Sequence, residues 1–106
     1  MLPEILSGLR IPVIAAPLFI ISNPKLVIAQ CKAGIVGSMP ALNARPKEQL
    51  EVELKMITEE LDRYNDKNPD FPAAPFAINQ IVHKSNERLM YDVELCVKYK
   101  VPITIT

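Results

Sequence analysis

The most unusual polar residues in this chain are two consecutive amides, Asn79 and Gln80, in the middle of the apolar run 76–82. Adjacent residues of a strand point to opposite faces, so at least one of these amides must face either packed interior or a ligand. A buried amide without a hydrogen-bond partner costs roughly 1 to 3 kcal/mol. Backbone groups or a polar ligand must therefore satisfy it, and the residues alone favour neither alternative.

Acid–base and nucleophilic chemistry have few candidate residues here. His83, the only histidine, has no Asp, Glu or Cys partner at a catalytic spacing, and we interpret it as a solvated or capping residue of a loop. Cys31 and Cys96 each lie in an apolar helical pattern without CxxC spacing, which predicts two buried, reduced thiols. We therefore assign no catalytic residue and no metal ligand in this chain.

The apolar run 11–19, IPVIAAPLF, ends in a second place where chemistry could occur. The run is polar on neither face, which is typical of a strand buried on both sides in a parallel sheet. Ser22 or Asn23 can cap the helix that follows, and Pro24 suits its first position. Ligands of parallel α/β sheets bind beyond the carboxyl ends of the strands, so a flat ligand could approach the main chain at residues 15–18. The alternative is a close-packed strand exit.

The elements that must position these residues alternate between strand and helix. Apolar residues at helical spacing predict helices at residues 24–33, at 46–64 and from 85 or 86 to about 99. Buried-type apolar runs predict strands at residues 11–19, 34–39, 76–82 and 101–106. A short amphipathic turn is predicted within residues 1–10, and the proline-rich stretch 65–75 is interpreted as a connection inside a single domain of residues 1–106.

The same periodicity predicts which side chains face the core. On the first helix they are Leu26, Ala29 and Ala33, with Val27 and Cys31 beside them. On the third helix they are Leu89, Val93, Cys96 and Val97. Gly34 is predicted to end the first helix in the left-handed conformation. In the loop 40–45, Asn43 is either a turn residue or a polar group available near the carboxyl end of the sheet.

This order of elements is a (βα)₃β series with parallel strands, because strands joined by a helix pair in parallel. Such a series continues either as a closed barrel or as an open doubly wound sheet. A four-stranded parallel sheet leaves unpaired edges, and a closed eight-stranded barrel takes about 250 residues. The pattern is therefore that of the first half of a larger fold.

Composition excludes several classes of protein. The chain has 106 residues, 49% of them hydrophobic, and a formal net charge of zero, so no net field attracts it to nucleic acid or to anionic lipid. Its longest apolar run, 11–21, is too short to span a membrane, and the first residues lack the features of a secretory signal. We expect a soluble, cytoplasmic protein.

Three segments together resemble the N-terminal part of the nitronate monooxygenases, also called 2-nitropropane dioxygenases. They are PVIAAPLFIISNPKLVIAQCKAGIVGSMPALNARP, PFAINQIVHKSN and VPITIT. Members of that family are FMN-dependent (β/α)₈ barrels and are similar to the FMN-containing enoyl-acyl-carrier-protein reductases. The resemblance implies that this chain is the (βα)₃β N-terminal half of such a barrel.

The resemblance also implies site residues. The backbone at the end of the first strand lies against the flavin ring in such proteins, which points to Ala16, Pro17 and Leu18. The asparagine of the third strand hydrogen-bonds the flavin, which points to Asn79. Gln80 and His83 are further candidates by position only. The family's catalytic histidine and its phosphate-binding loops correspond to positions beyond residue 106.

The activity implied is the oxidation of an alkyl nitronate by molecular oxygen to a carbonyl compound and nitrite, with FMN as the electron carrier. The 106-residue chain by itself is expected to be inactive and to self-associate. Two alternatives stay open: an enzyme similar to the FMN-dependent enoyl-acyl-carrier-protein reductases, and a non-catalytic open α/β binding module.

Overall fold

The α-helices lie close to where the sequence predicts them. The computed structural model describes residues 2–106, and its helices are α1 (Pro24–Lys32), α2 (Gln49–Lys67) and α3 (Leu89–Lys98). Two short 3₁₀ helices, Glu4–Leu6 and Ala41–Asn43, precede α1 and α2. The main differences are a shift of α2 by three residues toward the C-terminus and a later start of α3, at Leu89 instead of 85 or 86.

Both ends of α1 follow from local chemistry. Asn23 is the N-cap, and its Oδ1 accepts a hydrogen bond from the Leu26 N–H at 2.9 Å, while Pro24 occupies the first helical turn. After Lys32 the chain turns at Gly34, whose φ of 97° lies in the left-handed region. The predicted helix boundaries and the predicted glycine stop are confirmed.

Three parallel strands form the sheet. They are β1 (Gly37–Pro40), β2 (Phe76–Asn79) and β3 (Ile103–Ile105), in the spatial order β1-β2-β3. Gly37 pairs with Phe76, and Ala77 pairs with Ile103. The prediction of parallel strands in which sequence neighbours are sheet neighbours is confirmed for these three. The structure is thus a compact α/β domain.

The predicted strand 11–19 is wrong. Only Ile14 makes a β-bridge, with Val36, and the side chains of most apolar residues in this segment are exposed rather than buried on both faces. The Ala15 N–H donates to the Val36 carbonyl at 2.8 Å, but the next rung of a parallel ladder would need an N–H at Pro17, which proline lacks. The ladder stops there, and the chain turns away.

The core lies between the helices and one face of the sheet. Its main members are Val27, Cys31, Met39, Leu50, Leu54, Ile57, Phe76 and Ile78. On α1, Val27 and Cys31 are buried while Ala29 and the C-cap residue Ala33 are exposed, which corrects the predicted inward stripe. Because α1 carries apolar residues on more than one face, the periodicity did not determine which face packs against the core. Val97 of α3 is also exposed, contrary to prediction.

The opposite face of the sheet is covered by none of the three helices, and we call it the helix-free face. Because side chains alternate along each strand and paired residues share a face, its members follow from the register. They are Ser38, Pro40, Ala77, Asn79, Ile103 and Ile105. Within residues 2–106, no helix is both long and apolar enough to cross a membrane.

Both cysteines are free and buried, as predicted. Burial raises the pKa of the Cys31 thiol to about 11 and also raises the pKa of Cys96. We expect iodoacetamide at pH 8 to alkylate Cys31 at least about a hundredfold more slowly in the folded chain than in urea, because the thiolate fraction falls tenfold per pKa unit. Mass spectrometry of a labelling time course measures this. Equal rates in the two conditions would contradict the burial of this thiol.

Candidate functional site

The candidate site is the edge of the sheet where the parallel strands end, which we call the carboxyl edge. Three segments meet there: residues 15–22 beside β1, residues 40–45 after β1, and residues 79–86 after β2. In open parallel sheets this is the edge where ligands bind, since the loops that follow the strands converge on it. All residues assigned to the flavin from the sequence lie in these segments.

The two consecutive amides point to opposite faces of the sheet. Gln80 is 2% exposed and lies on the helix side, where its Nε2 contacts Cys96 Sγ of α3 at 3.3 Å. Asn79 lies on the helix-free face, next to Pro40 of β1 and Ile105 of β3. The Asn79 Oδ1 atom is buried without a hydrogen-bond partner, and so is Gln80 Oε1. Of these two oxygens, only Asn79 Oδ1 is on a face that no helix fills.

Ala16, Pro17 and Leu18 lie on the other side of β1 from Asn79. The segment containing Ile14 borders β1 on one edge and β2 borders it on the other, so the two parts of the proposed flavin site are separated by one strand. Ala16 and Leu18 are exposed and Pro17 is half-buried. Ser38 Oγ donates a hydrogen bond to the Ala15 carbonyl, and this bond attaches the start of the segment 15–18 to β1.

Asn43 organises the loop of residues 18–22. Its Nδ2 donates to the carbonyl oxygens of Leu18 at 3.0 Å and Ser22 at 2.8 Å, and its Oδ1 accepts from the Ile20 N–H at 3.0 Å. Ser22 Oγ accepts a further hydrogen bond from the Leu18 N–H at 2.8 Å. The sequence left Asn43 as either a turn residue or a polar group available near the carboxyl end, and the structure shows that its side chain joins two loops of the carboxyl edge.

The loop held by Asn43 contains a strained residue. Ile20 has a φ of 69°, a left-handed value that β-branched residues rarely adopt and that costs about 1 to 3 kcal/mol. Its side chain is 75% exposed, and Phe19 beside it lies against the Arg45 guanidinium, 5.4 Å from the ring centroid. Strain of this kind persists only where surrounding bonds over-determine the backbone, which the three bonds of Asn43 do here.

Large exposed apolar side chains line the carboxyl edge, and we call this group the apolar rim. It consists of Leu18, Phe19, Ile20, Ile21, Ile81 and Val82. Several large apolar side chains exposed at one edge of a sheet are typical of a place where a ligand or another part of a protein packs. The rim therefore makes the carboxyl edge the candidate binding surface.

A buried ion pair lies behind the carboxyl edge. Arg88, at the start of α3, donates to the carbonyl oxygens of Ala44 at 2.6 Å and Ala41 at 3.1 Å, and to Asp92 Oδ1 at 3.1 Å. Asp92 is fully buried, and burial raises the pKa of its carboxyl group, an effect that Arg88 opposes. The i,i+4 spacing of Arg88 and Asp92 is a sequence pattern of helical ion pairs, but no pattern indicates the contacts of Arg88 with a loop more than 40 residues away.

His83 lies in an exposed turn. Its Nδ1 accepts from the Ser85 N–H at 3.1 Å and lies 2.8 Å from Ser85 Oγ. Its hydrogen-bond partner is thus a neighbour in its own turn and not a carboxylate. This geometry fits the interpretation of His83 as a loop residue.

A cavity of about 580 Å³ lies at the opposite edge of the sheet, where β2 and β3 begin. Its lining includes Leu61, Pro75, Phe76, Tyr99 and Pro102. None of the residues assigned to the flavin contributes to it. We place the functional site at the carboxyl edge instead, because Asn79 Oδ1 and the apolar rim are there.

Comparison with known proteins identified no family for this chain. No protein-family model, no curated protein and no solved structure matched it. The functional assignment therefore depends on the residues and the geometry described above.

Proposed function

We propose that this chain is the N-terminal part of an FMN-dependent (β/α)₈ barrel of the nitronate monooxygenase type. The activity proposed for the whole enzyme is oxidation of an alkyl nitronate by molecular oxygen to a carbonyl compound and nitrite. One observation carries the proposal: Asn79 places an unpartnered side-chain oxygen on the helix-free face at the carboxyl end of a parallel sheet. That is where the resemblance puts the flavin-binding asparagine.

The residues present fit the ring of FMN. A flavin ring has an N–H group from which Asn79 Oδ1 could accept a hydrogen bond. This bond would satisfy an oxygen that has no hydrogen-bond partner within the protein. On the other side of β1, Ala16 and Leu18 are exposed, so a flat ring could contact them there. FMN would supply the electron-transfer chemistry, and these residues would orient its ring.

The phosphate of FMN needs groups other than these. A phosphate is best held by backbone N–H groups at a helix N-terminus, and at α1 the Leu26 N–H already binds the Asn23 side chain. A single hydrogen bond from Asn79 contributes roughly 0.5 to 1.5 kcal/mol, which is too little to hold FMN against the entropy of association. We therefore expect the chain alone to bind FMN weakly or not at all and to be inactive.

The exposed apolar surface supports the proposal that further strands complete a barrel. Ile11, Val13 and Ile14 are exposed beside β1, and β3 has a free edge on the other side of the sheet. Free edges and exposed apolar side chains are what a closed barrel eliminates. In this proposal, later βα units cover the helix-free face and supply the phosphate site and the catalytic histidine.

The test compares Asn79→Ala with His83→Ala in the enzyme that contains the remaining barrel strands. We expect Asn79→Ala to lower the bound flavin or to slow flavin reduction by about tenfold, which corresponds to one hydrogen bond. We expect His83→Ala to change turnover by less than about twofold, because the His83 side chain is exposed and hydrogen-bonds to Ser85 in its own turn. Flavin absorbance and nitronate-dependent oxygen uptake measure both effects.

Three outcomes would contradict this proposal. They are turnover by the 106-residue chain alone, loss of turnover on changing His83, and unchanged flavin binding and reduction in Asn79→Ala. The first two outcomes would show that the proposal assigns the chemistry to the wrong residues. The third would remove the observation on which the assignment of the cofactor depends.

The apolar rim leads to a prediction about association. We expect the chain to self-associate at micromolar concentrations, because uncovered apolar surface and free strand edges drive contacts between molecules. Introducing charge with Phe19→Lys and Val82→Lys should shift the population toward monomer. Val97→Lys is the matched control, since Val97 is equally exposed but lies on α3. Sedimentation velocity distinguishes the species, and a stable monomer of the unmodified chain would contradict the proposed half barrel.

A further inference from the structure

The loop of residues 41–45 is attached to α3 by one side chain. Arg88 reaches across from the start of α3 and uses both terminal nitrogens on this loop, one for the Ala44 carbonyl and one for the Ala41 carbonyl. These two carbonyls flank Asn43. The guanidinium is a rigid planar fork, so it fixes the two carbonyl oxygens relative to each other, which the single ammonium of a lysine cannot do.

The buried carboxylate of Asp92 makes this arrangement possible. Arg88 is largely buried, with an 18% exposed side chain, and a charge in such a place needs a partner. Asp92 lies one helical turn further along α3 and accepts from Arg88 Nη2. Glu53 of α2 is the other buried carboxylate that interacts with Arg88, at longer range. The pair thus holds the guanidinium in the position from which it reaches the loop.

The loop of residues 41–45 in turn holds the loop of residues 18–22. Asn43 makes three hydrogen bonds to the backbone of Leu18, Ile20 and Ser22, and Ile20 is held in its left-handed conformation by one of them. A side chain can hold a strained backbone only if its own backbone is fixed. The two carbonyls that Arg88 binds are the backbone on either side of Asn43.

We propose that Arg88, with Asp92 as its buried counter-ion, is a positioning residue that fixes the shape of the loop 18–22 through Asn43. The connection runs from α3 through the loop 41–45 to a loop of the carboxyl edge. Its relevance to the flavin depends on the proposed function, because Leu18 is one of the residues assigned to the ring. The connection itself exists in the chain without FMN.

The experiment measures amide hydrogen exchange in the full chain by mass spectrometry of peptides. Arg88→Lys keeps the charge but loses the fork, and Asp92→Asn keeps the shape but loses the counter-ion. We expect exchange in the peptide covering residues 18–22 to become about tenfold faster in Arg88→Lys and to change in the same direction, less strongly, in Asp92→Asn. Peptides from α2 should keep their exchange rates. Arg63→Lys, in an exposed pair with Glu60, is the matched control and should change neither region.

The route through Asn43 is tested by a double variant. Asn43→Ala should speed exchange in residues 18–22 as well, and adding Arg88→Lys to it should produce no further increase. Unchanged exchange in residues 18–22 in both single variants would overturn the proposal, and so would an equal increase in these residues and in α2. Should Arg88→Lys fail to fold, Asp92→Asn gives the same reading. Because the readout needs no flavin, a failure of FMN binding would count against the proposed function alone.

Discussion

Replacing Gly37 by alanine is expected to destabilise the protein by about 3 kcal/mol, because α1 lies directly on this residue. A Cβ at position 37 would collide with the Val27 carbonyl oxygen and would lie 3.0 Å from Cys31 Sγ. The carbonyl belongs to the backbone of α1, so no side-chain rotation relieves the contact. The helix would have to move off the sheet.

Urea denaturation followed by circular dichroism measures this loss. Gly8→Ala is the matched control, since a Cβ at Gly8 would meet nothing within 4 Å, and its free energy of unfolding should stay within about 0.5 kcal/mol of the unchanged chain. If the two alanine variants unfolded at the same urea concentration, the close approach of α1 to β1 would be wrong.

Leu54→Ala is expected to lower the free energy of unfolding by about 3 kcal/mol, within the usual range for deletion of a fully buried leucine. Leu54 lies in the first half of α2 with no exposed surface and packs in the core with Ile57 and Met39. The cavity left behind cannot collapse easily, because helices and sheet enclose it.

Val52→Ala on the same helix is the control, because Val52 is 54% exposed. It should change the free energy of unfolding by less than about 1 kcal/mol. Thermal and urea unfolding of both variants give the comparison. A larger loss from Val52→Ala than from Leu54→Ala would mean that α2 packs on the sheet through a different face.

The helices could be predicted because their signals are local. Asn23, Pro24 and Gly34 determine both ends of α1 within a few residues of the helix itself. The prediction of a strand at 11–19 was wrong because a strand depends on partners that are distant in the sequence. The composition of this run is that of a strand, but a strand also needs a partner at every rung, and Pro17 removes the donor for the rung after Ala15.

The candidate site was predictable only in part. Alternation along a strand showed that Asn79 and Gln80 face opposite sides, but the side covered by helices is known only from the packing. The roles of Asn43 and Arg88 could not be found in the sequence, because their hydrogen bonds to the other loops join residues 21 to 47 positions apart. No local pattern encodes contacts of that separation.

The order of strands in the sheet has a consequence for how the chain folds as it is synthesised. β2 lies beside β1 and β3 lies beside β2, so the sheet grows at one edge only as the strands follow one another in the chain. No later strand has to insert between two earlier ones, and α1 and β1, which pack on each other, are both made before β2. We expect the segment through α2 to dock on β1 before β2 is made, so that growth of the sheet follows the direction of translation.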